Sequence, residues 1–396
     1  MKNTRPSIYK YSIILFISIT SLFLIHSTSA DDPIRIGATM SQSGALSTQG
    51  IAAKNGYLLC EEHINEQGGL LDRDIEFIIY DDESNSETAI TLYEKLITDY
   101  RVDAIMGPYG STLTEAVAPV TERHKMVHIS PLAATTSIWE QGREYLFMVL
   151  PPAELFLAGL IDMADDNDLK LVAIIMEDAL FPKAAGMGAV DLARERGMDV
   201  KVIYTYRSGR NDFSHILELI KNSEIEVLGM AASSLNDFTT VLRQMKEMDV
   251  NVKMFGTSGA VVQFREQLGD LAEYAYGLSA WEPTLKNPGI PEFTEAYKAR
   301  FGVEPSFHAA GAYGSCKLFA KAAEEAGSLD SDALRDILLT METQTIFGDY
   351  AVDERGYQTA NKGLFVQWQD GEKVIVWPED VATHELRFPT PEWNER

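Results

Sequence analysis

Strand-length apolar runs and amphipathic stretches alternate along the first 150 residues of the chain. The apolar runs cover residues 34–38, 76–80, 102–106 and 126–129. A helical pattern follows these runs, and in one such stretch Ala89, Tyr93 and Leu96 recur at i, i+4 and i+7, which places them on one face. This alternation predicts a parallel sheet with helices on both of its faces.

The alternation restarts after Pro151 and Pro152. Its apolar runs cover residues 171–175, 200–204, 226–230, 252–255 and 276–280. Helical stretches follow up to about Met341, and an alternating segment at 365–377, with a turn at Asp370 and Gly371, predicts a closing hairpin. The predicted fold class is α/β, with two doubly wound parallel-sheet lobes. Sheets of this kind bind ligands at the carboxyl ends of their strands.

The composition of the 396 residues is that of a globular protein, with 45% hydrophobic and 23% charged residues. This length is sufficient for two domains, each with its own core. The formal net charge of −25 repels phosphate backbones and anionic lipids, so we expect neither nucleic acid nor a membrane surface as a partner.

The amino terminus has the three parts of a secretory signal peptide. Lys2, Arg5 and Lys10 precede an uncharged apolar run at 13–25, and Ala30 ends a segment of small residues. The alternative is a membrane anchor, but a spanning helix needs about 20 apolar residues and this run is shorter. We therefore expect residues 1–30 to be removed near Ala30, and the mature chain to work in the periplasm without a direct membrane anchor.

Two cysteines, Cys60 and Cys316, are too few for a disulfide framework or a thiolate metal cage. Both lie in apolar helical stretches. Outside the cytoplasm they can oxidise, so two buried free thiols and a disulfide between them are both open from the sequence.

Motifs for catalysis, cofactors and metals are incomplete. Gly186 and Gly188 lie inside a predicted helix and lack the third glycine of a dinucleotide site. His124 and His128 are four residues apart but lack the glutamate of a zinc-binding helix. Ser258 lies between small residues without the nucleophile-elbow pattern, so a secreted α/β hydrolase is only an alternative. We expect no enzymatic activity, no cofactor and no metal.

Hydroxyl residues open the helices that follow two neighbouring strands. Ser111 and Thr112 follow the third apolar run, and Thr135 and Ser137 follow the fourth. Free backbone N–H groups, the helix dipole and hydroxyl donors at such a junction suit a carboxylate. Because adjacent parallel strands end at the same edge of a sheet, both junctions are expected to face one anion. The alternative is that each hydroxyl only caps its own helix.

Seven segments, taken in this order, carry a resemblance to a known family. They are residues 36–44, 64–70, 80–82, 106–112, 129–135, 211–214 and 255–258. On these segments the chain, from about residue 34 to about residue 380, resembles the type I periplasmic binding proteins of the branched-chain amino acid class. The resemblance implies two lobes that close on a small ligand and deliver it to the membrane permease of an ABC transporter. We expect a monomer.

The family resemblance also implies where the chain passes between the lobes. Three crossings are expected, near Pro151, Ala280 and Met341. The N-terminal lobe would comprise 31–150 plus 281–341, and the C-terminal lobe 151–280 plus 342–396.

Members of this family hold the ligand carboxylate with a hydroxyl after the third strand and with small residues after the fourth. These positions correspond to Ser111 and to Ala133 with either Ala134 or Thr135. Positions where relatives tend to carry aromatic residues correspond to Gln49, Phe181 and Leu235. Tyr109, Phe181 and Trp281 are candidates for an apolar lining, with the alternative that these aromatic residues are plain core.

Ser258 departs from the family pattern. Amino-acid binders of this class commonly carry an acid at this strand end, which pairs with the ammonium of the ligand. A buried ammonium without a counter-charge is strongly unfavourable, so either Asp178 or Glu282 replaces that acid or the ligand has no α-ammonium. The candidate ligand-binding residues are therefore Gln49, Tyr109, Ser111, Thr112, Ala133, Ala134, Thr135, Asp178, Phe181, Leu235 and Ser258.

The expected function is capture of a small carboxylate-bearing ligand by hinge closure, as the extracytoplasmic solute-binding protein of an ABC importer. The ligand is expected to be an amino acid, or an organic acid or amide without the α-ammonium. An alternative of another class is a ligand-sensing module that passes its closed state to a membrane receptor.

Overall fold

The computed structural model describes Met1, residues 32–260 and residues 262–396. The chain divides into two units, Met1–Asp32 and Pro33–Arg396, of which the second is compact. The predicted signal peptide lies outside the described residues except for Met1. Among the described residues, no helix is both long and apolar enough to cross a membrane. All strands and helices of the described residues belong to the second unit.

The first sheet is built from five parallel strands in the order β2-β1-β3-β4-β5. These strands are β1 (Ile34–Thr39), β2 (Ile75–Tyr80), β3 (Ala104–Met106), β4 (His128–Ser130) and β5 (Leu146–Met148). The helices between them are α1 (Ser47–Glu66), α2 (Ser86–Thr98) and α3 (Ser111–Arg123). The four apolar runs at the start of the chain are thus strands, as predicted, and the fifth strand was not predicted although its residues are apolar.

The second sheet follows after residue 170. Its parallel strands are β6 (Leu171–Glu177), β7 (Asp199–Tyr206), β8 (Val227–Ala231), β9 (Met254–Thr257) and β10 (Tyr276–Ser279). The helices of this lobe are α4 (Ala158–Asp166), α5 (Leu180–Glu195), α6 (Ser214–Asn222), α7 (Leu235–Glu247) and α8 (Val262–Leu268). Alternating helices and parallel strands in two lobes confirm the predicted α/β fold class.

Three helices after the second sheet return to the first lobe. They are α9 (Ile290–Phe301), α10 (Phe307–Ala326) and α11 (Ser331–Thr340). Helix α10 packs along α1. The approach is close at Gly56, where a Cβ atom would lie 2.2 Å from the carbonyl oxygen of Ala309, so only glycine fits there. The same pair of helices is joined by a disulfide between Cys60 and Cys316, whose Cα atoms are 6.3 Å apart. Of the two alternatives for these cysteines, the structure contains the disulfide.

A short hairpin follows α11, just after the crossing predicted near Met341. Its strands are β11 (Thr343–Thr345) and β12 (Gly348–Tyr350), and Phe347 at its turn packs against Gly311 and Gly314 of α10. Further on, the backbone N–H of Met148 donates to the carbonyl of Gly356. Residues 347 and 356 therefore contact elements of the first lobe. The lobe boundaries, including the crossing near Met341, stay a prediction.

The chain finally closes the second sheet with two antiparallel strands. These are β13 (Leu364–Gln369), which pairs with β10, and β14 (Glu372–Trp377), which pairs with β13. Asp370 and Gly371 form the turn between them, and both have positive φ, which the predicted Asp-Gly hairpin turn requires. The order of this sheet is β14-β13-β10-β9-β8-β6-β7.

Candidate ligand-binding cleft

A cavity lies between the two lobes, at the carboxyl ends of strands from both sheets. From the first lobe it is lined by Leu46, Gln49, Tyr109, Gly110, Ser111, Thr112, Leu113, Leu132, Ala134, Phe307 and His308. Most of its remaining lining comes from the second lobe, with Phe156, Phe181, Ala232, Ser233, Leu235, Phe238, Ser258 and Gly259, and Leu150 lies near the first crossing. Its volume, counted as the space open to the centres of water molecules, is about 80 Å³. Since one water needs roughly 10–15 Å³ on this measure, the cavity suits a ligand about the size of an amino acid.

Five helices begin at the wall of this cavity. Gln49 is in the first turn of α1, Ser111 begins α3, Phe181 is in the first turn of α5, Leu235 begins α7, and His308 is the second residue of α10. Each helix start presents unpaired backbone N–H groups and about half a positive charge. Together these helix starts make the cavity electrostatically favourable for an anion.

The two hydroxyl junctions of the first lobe meet, as expected from adjacent strands. Ser111 is buried, and its Oγ accepts hydrogen bonds from the backbone N–H groups of Ala134 at 3.1 Å and Thr135 at 3.3 Å. The backbone N–H of Gly110 donates to the carbonyl of Leu132 at 3.1 Å, which fixes the junctions side by side. Ser111 thus bridges the two junctions, and the N-cap of its helix is Gly110, so the capping alternative does not describe this residue.

Thr135 lies behind the cavity wall, next to Ser111. Its Oγ1 is buried and has no hydrogen-bond partner among the described residues. It precedes the short 3₁₀ helix Thr136–Gln141 without a side-chain cap. Ala133 is also buried, and neither Ala133 nor Thr135 is among the residues that line the cavity. A hydroxyl in this position has an unused hydrogen-bonding capacity.

Gln49, Tyr109 and Thr112 line the cavity from the first lobe. The Oε1 atom of Gln49 is buried without a hydrogen-bond partner among the described residues. Burial and the negative charge of Glu177 raise the pKa of the Tyr109 hydroxyl, so this group remains a neutral hydrogen-bond donor. Thr112 is exposed at the mouth of the cleft.

Phe181, Leu235 and Ser258 line the cavity from the second lobe. The ring of Phe181 packs edge-on against Phe156, with 4.9 Å between the ring centroids. Ser258 is tied to the backbone of Ala232, whose N–H donates to its Oγ at 3.2 Å and whose carbonyl accepts from it at 3.3 Å. These contacts hold the ends of β8 and β9 together, and they do not link Ser258 to a histidine as a hydrolase would require.

The two acids considered as partners for a ligand ammonium lie outside the cavity lining. Asp178 is exposed and forms an ion pair with Lys183. Glu282 is buried, and its Oε1 lies 2.7 Å from the Nζ atom of Lys373. Trp281, a candidate lining residue, packs against Phe293 in the core instead. Among the described residues that line the cavity, none is Asp, Glu, Lys or Arg.

His308 is a polar lining residue that the sequence patterns did not identify. Its ring stacks on Phe307 with centroids 3.9 Å apart and meets Tyr109 edge-on at 5.2 Å. Burial, and next the positive charge of Lys373, lower the pKa of His308 to about 3, so the imidazole is neutral. The sequence marks a helix here, but the direction in which its first turn points depends on the packing of α10 against the first lobe.

Two buried carboxylates support the second-lobe wall from behind. Glu177, at the end of β6, accepts hydrogen bonds from the backbone N–H of Ser233 at 2.8 Å and from the hydroxyl of Ser208. Asp237 accepts the hydroxyl proton of Tyr206 at 2.7 Å. Burial, and to a smaller extent the charge of Glu177, raise the pKa of Asp237 to about 6. Both acids therefore form hydrogen bonds with other residues of the second lobe.

The incomplete motifs have structural roles. A Cβ atom on Gly186 would lie 2.9 Å from the side chain of Met176, and one on Gly188 would lie 2.2 Å from the carbonyl of Glu154, so both glycines allow close packing of α5. His128 is buried between Thr121 and the carbonyl of Gly107. No group of three or more metal-ligating side chains occurs in the part of the chain that the structure describes.

Comparison with known proteins gives consistent results. A family model described as "Periplasmic binding protein" matches residues 33–373. The Leu/Ile/Val-binding protein homolog 7 of Brucella suis is 25% identical over 397 residues, covering 95% of this chain and 99% of the relative. The Leu/Ile/Val-binding protein homolog 8 of Brucella abortus is 26% identical over 390 residues, covering 91% and 94%.

Solved structures show the same fold. The leucine binding protein LivK of Thermotoga maritima superposes with a TM-score of 0.80 at 21% identity, covering 88% of this chain and 99% of that one. The branched-chain amino acid binding protein LivJ of Streptococcus pneumoniae, in complex with isoleucine, superposes with a TM-score of 0.78 at 23% identity. The match covers 88% of this chain and 100% of that one. A solute binding protein of R. palustris in complex with benzoate superposes with a TM-score of 0.78 at 16% identity, and the match covers 87% of this chain and 96% of that one.

Proposed function

We propose a ligand-capture function for this chain, which belongs to the periplasmic binding protein family, in the branched-chain amino acid class of ABC transporter components. In this proposal the two lobes close on a small carboxylate-bearing ligand in the cleft. The chain then delivers the ligand to a membrane permease and performs no chemistry on it.

The observation that carries this proposal is the bridge from Ser111 to the N–H groups of Ala134 and Thr135 at the wall of the cleft. These N–H groups, the hydroxyl of Ser111 and the start of α3 form one cluster of donors. In our proposal a ligand carboxylate accepts from the two N–H groups in place of the serine oxygen. The hydroxyl of Ser111 then turns its own proton towards the carboxylate, which gives three charge-assisted hydrogen bonds.

The second lobe would complete the enclosure. Phe181, Leu235 and Phe238 present apolar surface, and Ser233 and Ser258 present hydrogen-bonding groups from the opposite side. Closing these residues over a ligand removes the carboxylate from water, which strengthens its hydrogen bonds to the first lobe.

The related structures point to the carboxylate as the shared chemical group. Isoleucine, in the LivJ complex, and benzoate, in the R. palustris complex, both carry a carboxylate, and only isoleucine carries an ammonium. We therefore propose a carboxylate ligand of about this size, an amino acid or an organic acid.

A thermal-shift screen tests this proposal. The panel is L-leucine, L-isoleucine, L-valine, benzoate and short-chain carboxylates, with leucinamide and benzamide as uncharged-head-group controls of matched shape. A ligand at a hundred times its Kd stabilises the folded state by about 2.7 kcal/mol. We expect at least one carboxylate to raise the midpoint of unfolding more than its amide does. If every carboxylate leaves the midpoint unchanged, the proposal is wrong.

The cell compartment in which the protein works is tested separately. We propose that the chain is secreted and that residues 1–30 are removed near Ala30. Mass spectrometry of the protein from the periplasmic fraction should then find a mature amino terminus at or near Asp31. Recovery of full-length protein from the membrane fraction would contradict this part.

A further inference from the structure

The cavity offers no permanent counter-charge to a ligand of either sign. Its lining residues in the described part of the chain include no Asp, Glu, Lys or Arg. A buried charge without a partner is strongly unfavourable, and helix starts offset only part of that cost. A lining side chain that gains a charge when a ligand binds would therefore determine which ligands the cavity accepts.

His308 is such a residue. It is 4% exposed, it lies at the start of α10, and its ring is a wall of the cavity. Its Nδ1 atom is 3.5 Å from the hydroxyl oxygen of Ser306, at the outer limit of a hydrogen bond. Phe307 stacks on the ring and Tyr109 meets it edge-on, so its position in the cavity is held by aromatic packing.

The charged and titratable groups around His308 are either paired with other protein groups or held neutral. Lys373, on β14, is paired with Glu282. The hydroxyl of Tyr109 is kept neutral by burial, which raises its pKa. Across the cavity, Glu177 is bound by Ser233 behind the second-lobe wall. Among the described lining residues, His308 therefore has the one side chain that can gain a positive charge.

We propose that His308 is a specificity-determining residue, which at acidic pH takes up a proton when a carboxylate enters the cleft and thereby selects monoanionic carboxylates over zwitterionic amino acids. This inference rests on the proposed function. An imidazolium compensates a lone carboxylate, but it repels the ammonium of an amino acid, for which the described lining has no acid.

The size of the effect depends on the small volume of the cavity. For a carboxylate held about 6 Å from the imidazole, attraction at an effective dielectric constant of about 20 would favour protonation roughly a hundredfold. Because the empty cleft holds His308 neutral, this proton is taken up on binding, and the affinity rises as the pH falls. The pKa of His308 is about 3 before binding, so a hundredfold gain leaves the imidazole about half protonated at pH 5.0 and neutral at pH 7.5. Benzoate is therefore expected to bind about twofold tighter at pH 5.0 than at pH 7.5.

Calorimetry with benzoate and L-leucine tests the inference. Each is titrated into the purified protein at both pH values, in pairs of buffers that differ in ionisation enthalpy, so that proton uptake is measured directly. The variant His308→Gln keeps a hydrogen-bonding side chain but cannot be charged. The exposed His215, on α6, provides the matched control His215→Gln.

The expected result is proton uptake with benzoate in the wild type and in His215→Gln, and a smaller pH effect without that uptake in His308→Gln. L-leucine is expected to bind more weakly than benzoate. A wild-type affinity for benzoate that is independent of pH, or a preference for L-leucine, overturns the inference while the ligand-capture proposal stands. If no carboxylate of the thermal-shift panel binds, both fail together.

A second measurement needs no variant. The Cε1 proton of His308 is followed by NMR in the wild type across the same pH range, with and without saturating benzoate. We expect it to titrate at a higher pH in the complex. An unchanged titration also overturns the inference.

Discussion

The Oγ atom of Ser111 accepts a hydrogen bond from the backbone N–H of Ala134 at 3.1 Å, which links the start of α3 to the loop after β4. These two segments are 23 residues apart in the chain, and the parallel pairing of β3 with β4 brings their ends together. The serine oxygen thus accepts from the two backbone donors that a carboxylate would use in the proposed function. We therefore expect Ser111 to contribute both to stability and to ligand binding.

The first prediction concerns the variant Ser111→Ala. The loss of its hydroxyl should weaken the binding of a carboxylate by about 1–3 kcal/mol, because one charge-assisted donor is removed. The free energy of unfolding of the empty protein should also fall by about 1–3 kcal/mol, since two buried N–H groups lose their acceptor. Calorimetry and urea denaturation measure the two effects.

The control for this variant is Ser214→Ala. Ser214 is also the first residue of a helix, α6, but it is exposed and lies away from the cavity. It should leave ligand affinity unchanged. An unchanged affinity in Ser111→Ala as well would place the ligand carboxylate elsewhere.

The second prediction is that Thr135→Val has opposite effects on stability and binding. The Oγ1 atom of Thr135 is buried without a hydrogen-bond partner among the described residues, so its replacement by a methyl group should leave stability unchanged or raise it by up to about 1–3 kcal/mol. If the hydroxyl bonds to a carboxylate in the complex, affinity should fall by about 1–3 kcal/mol. Thermal unfolding with and without ligand separates the two. If the variant is stabilised equally with and without ligand, this hydroxyl does not contact the ligand.

The third prediction concerns the disulfide between Cys60 and Cys316. It closes a segment of 256 residues, and its loss should lower the free energy of unfolding by about 2–5 kcal/mol. Urea unfolding with and without a reductant measures this, and a thiol assay establishes that reduction is complete. The double variant Cys60→Ala/Cys316→Ala should have the lower stability in both conditions. A fully reduced wild type of unchanged stability would contradict the prediction.

The fourth prediction is a pH-dependent stability that originates at Asp237. Its pKa is raised from 3.8 to about 6 in the folded protein, so between these values the folded state binds the proton more tightly than the unfolded state. The contribution of Asp237 to stability is therefore greatest below about pH 4 and is lost as the pH rises through 6. The total loss is about 2–3 kcal/mol.

The variant Asp237→Asn isolates this contribution. The free energy of unfolding of this variant, relative to that of the wild type, should rise between pH 4 and pH 7, because the wild-type carboxyl ionises there and the amide cannot. Above pH 7 the difference between the two free energies should be constant. The exposed Asp191, on α5, provides the control Asp191→Asn, for which we expect a flat difference. A pH-independent difference for Asp237→Asn would mean that this carboxyl titrates normally.

Much of the fold was predictable from local patterns. The apolar runs at 34–38 and 171–175 are the strands β1 and β6, because residues buried on both faces of a parallel sheet must be apolar at nearly every position. The Asp-Gly turn before β14 was predictable for a similar reason, since positive φ at both positions suits these residue types. Strands β11 and β12 were missed because their residues are mostly polar and do not form an apolar run. Strand β5 was missed although its three residues are apolar and buried.

The candidate site was predictable in part. The two hydroxyl junctions could be placed at one edge because parallel strands that neighbour each other end together. Asp178 and Glu282 could be named as acids near strand ends, but the ion pairs with Lys183 and Lys373 that occupy them were not visible in the pattern. His308 was missed because nothing local distinguishes the first turn of α10 from that of any other buried helix.

The order of apolar and polar residues thus specified most of the strands and helices and the edge of each sheet at which the cavity lies, since these depend on neighbours within a few positions. Folding in three dimensions settled the pairing of Cys60 with Cys316, the contact of Phe347 with α10, and the approach of His308 to Tyr109. Each of these joins residues far apart along the chain, and their meeting depends on how whole helices pack rather than on any local preference.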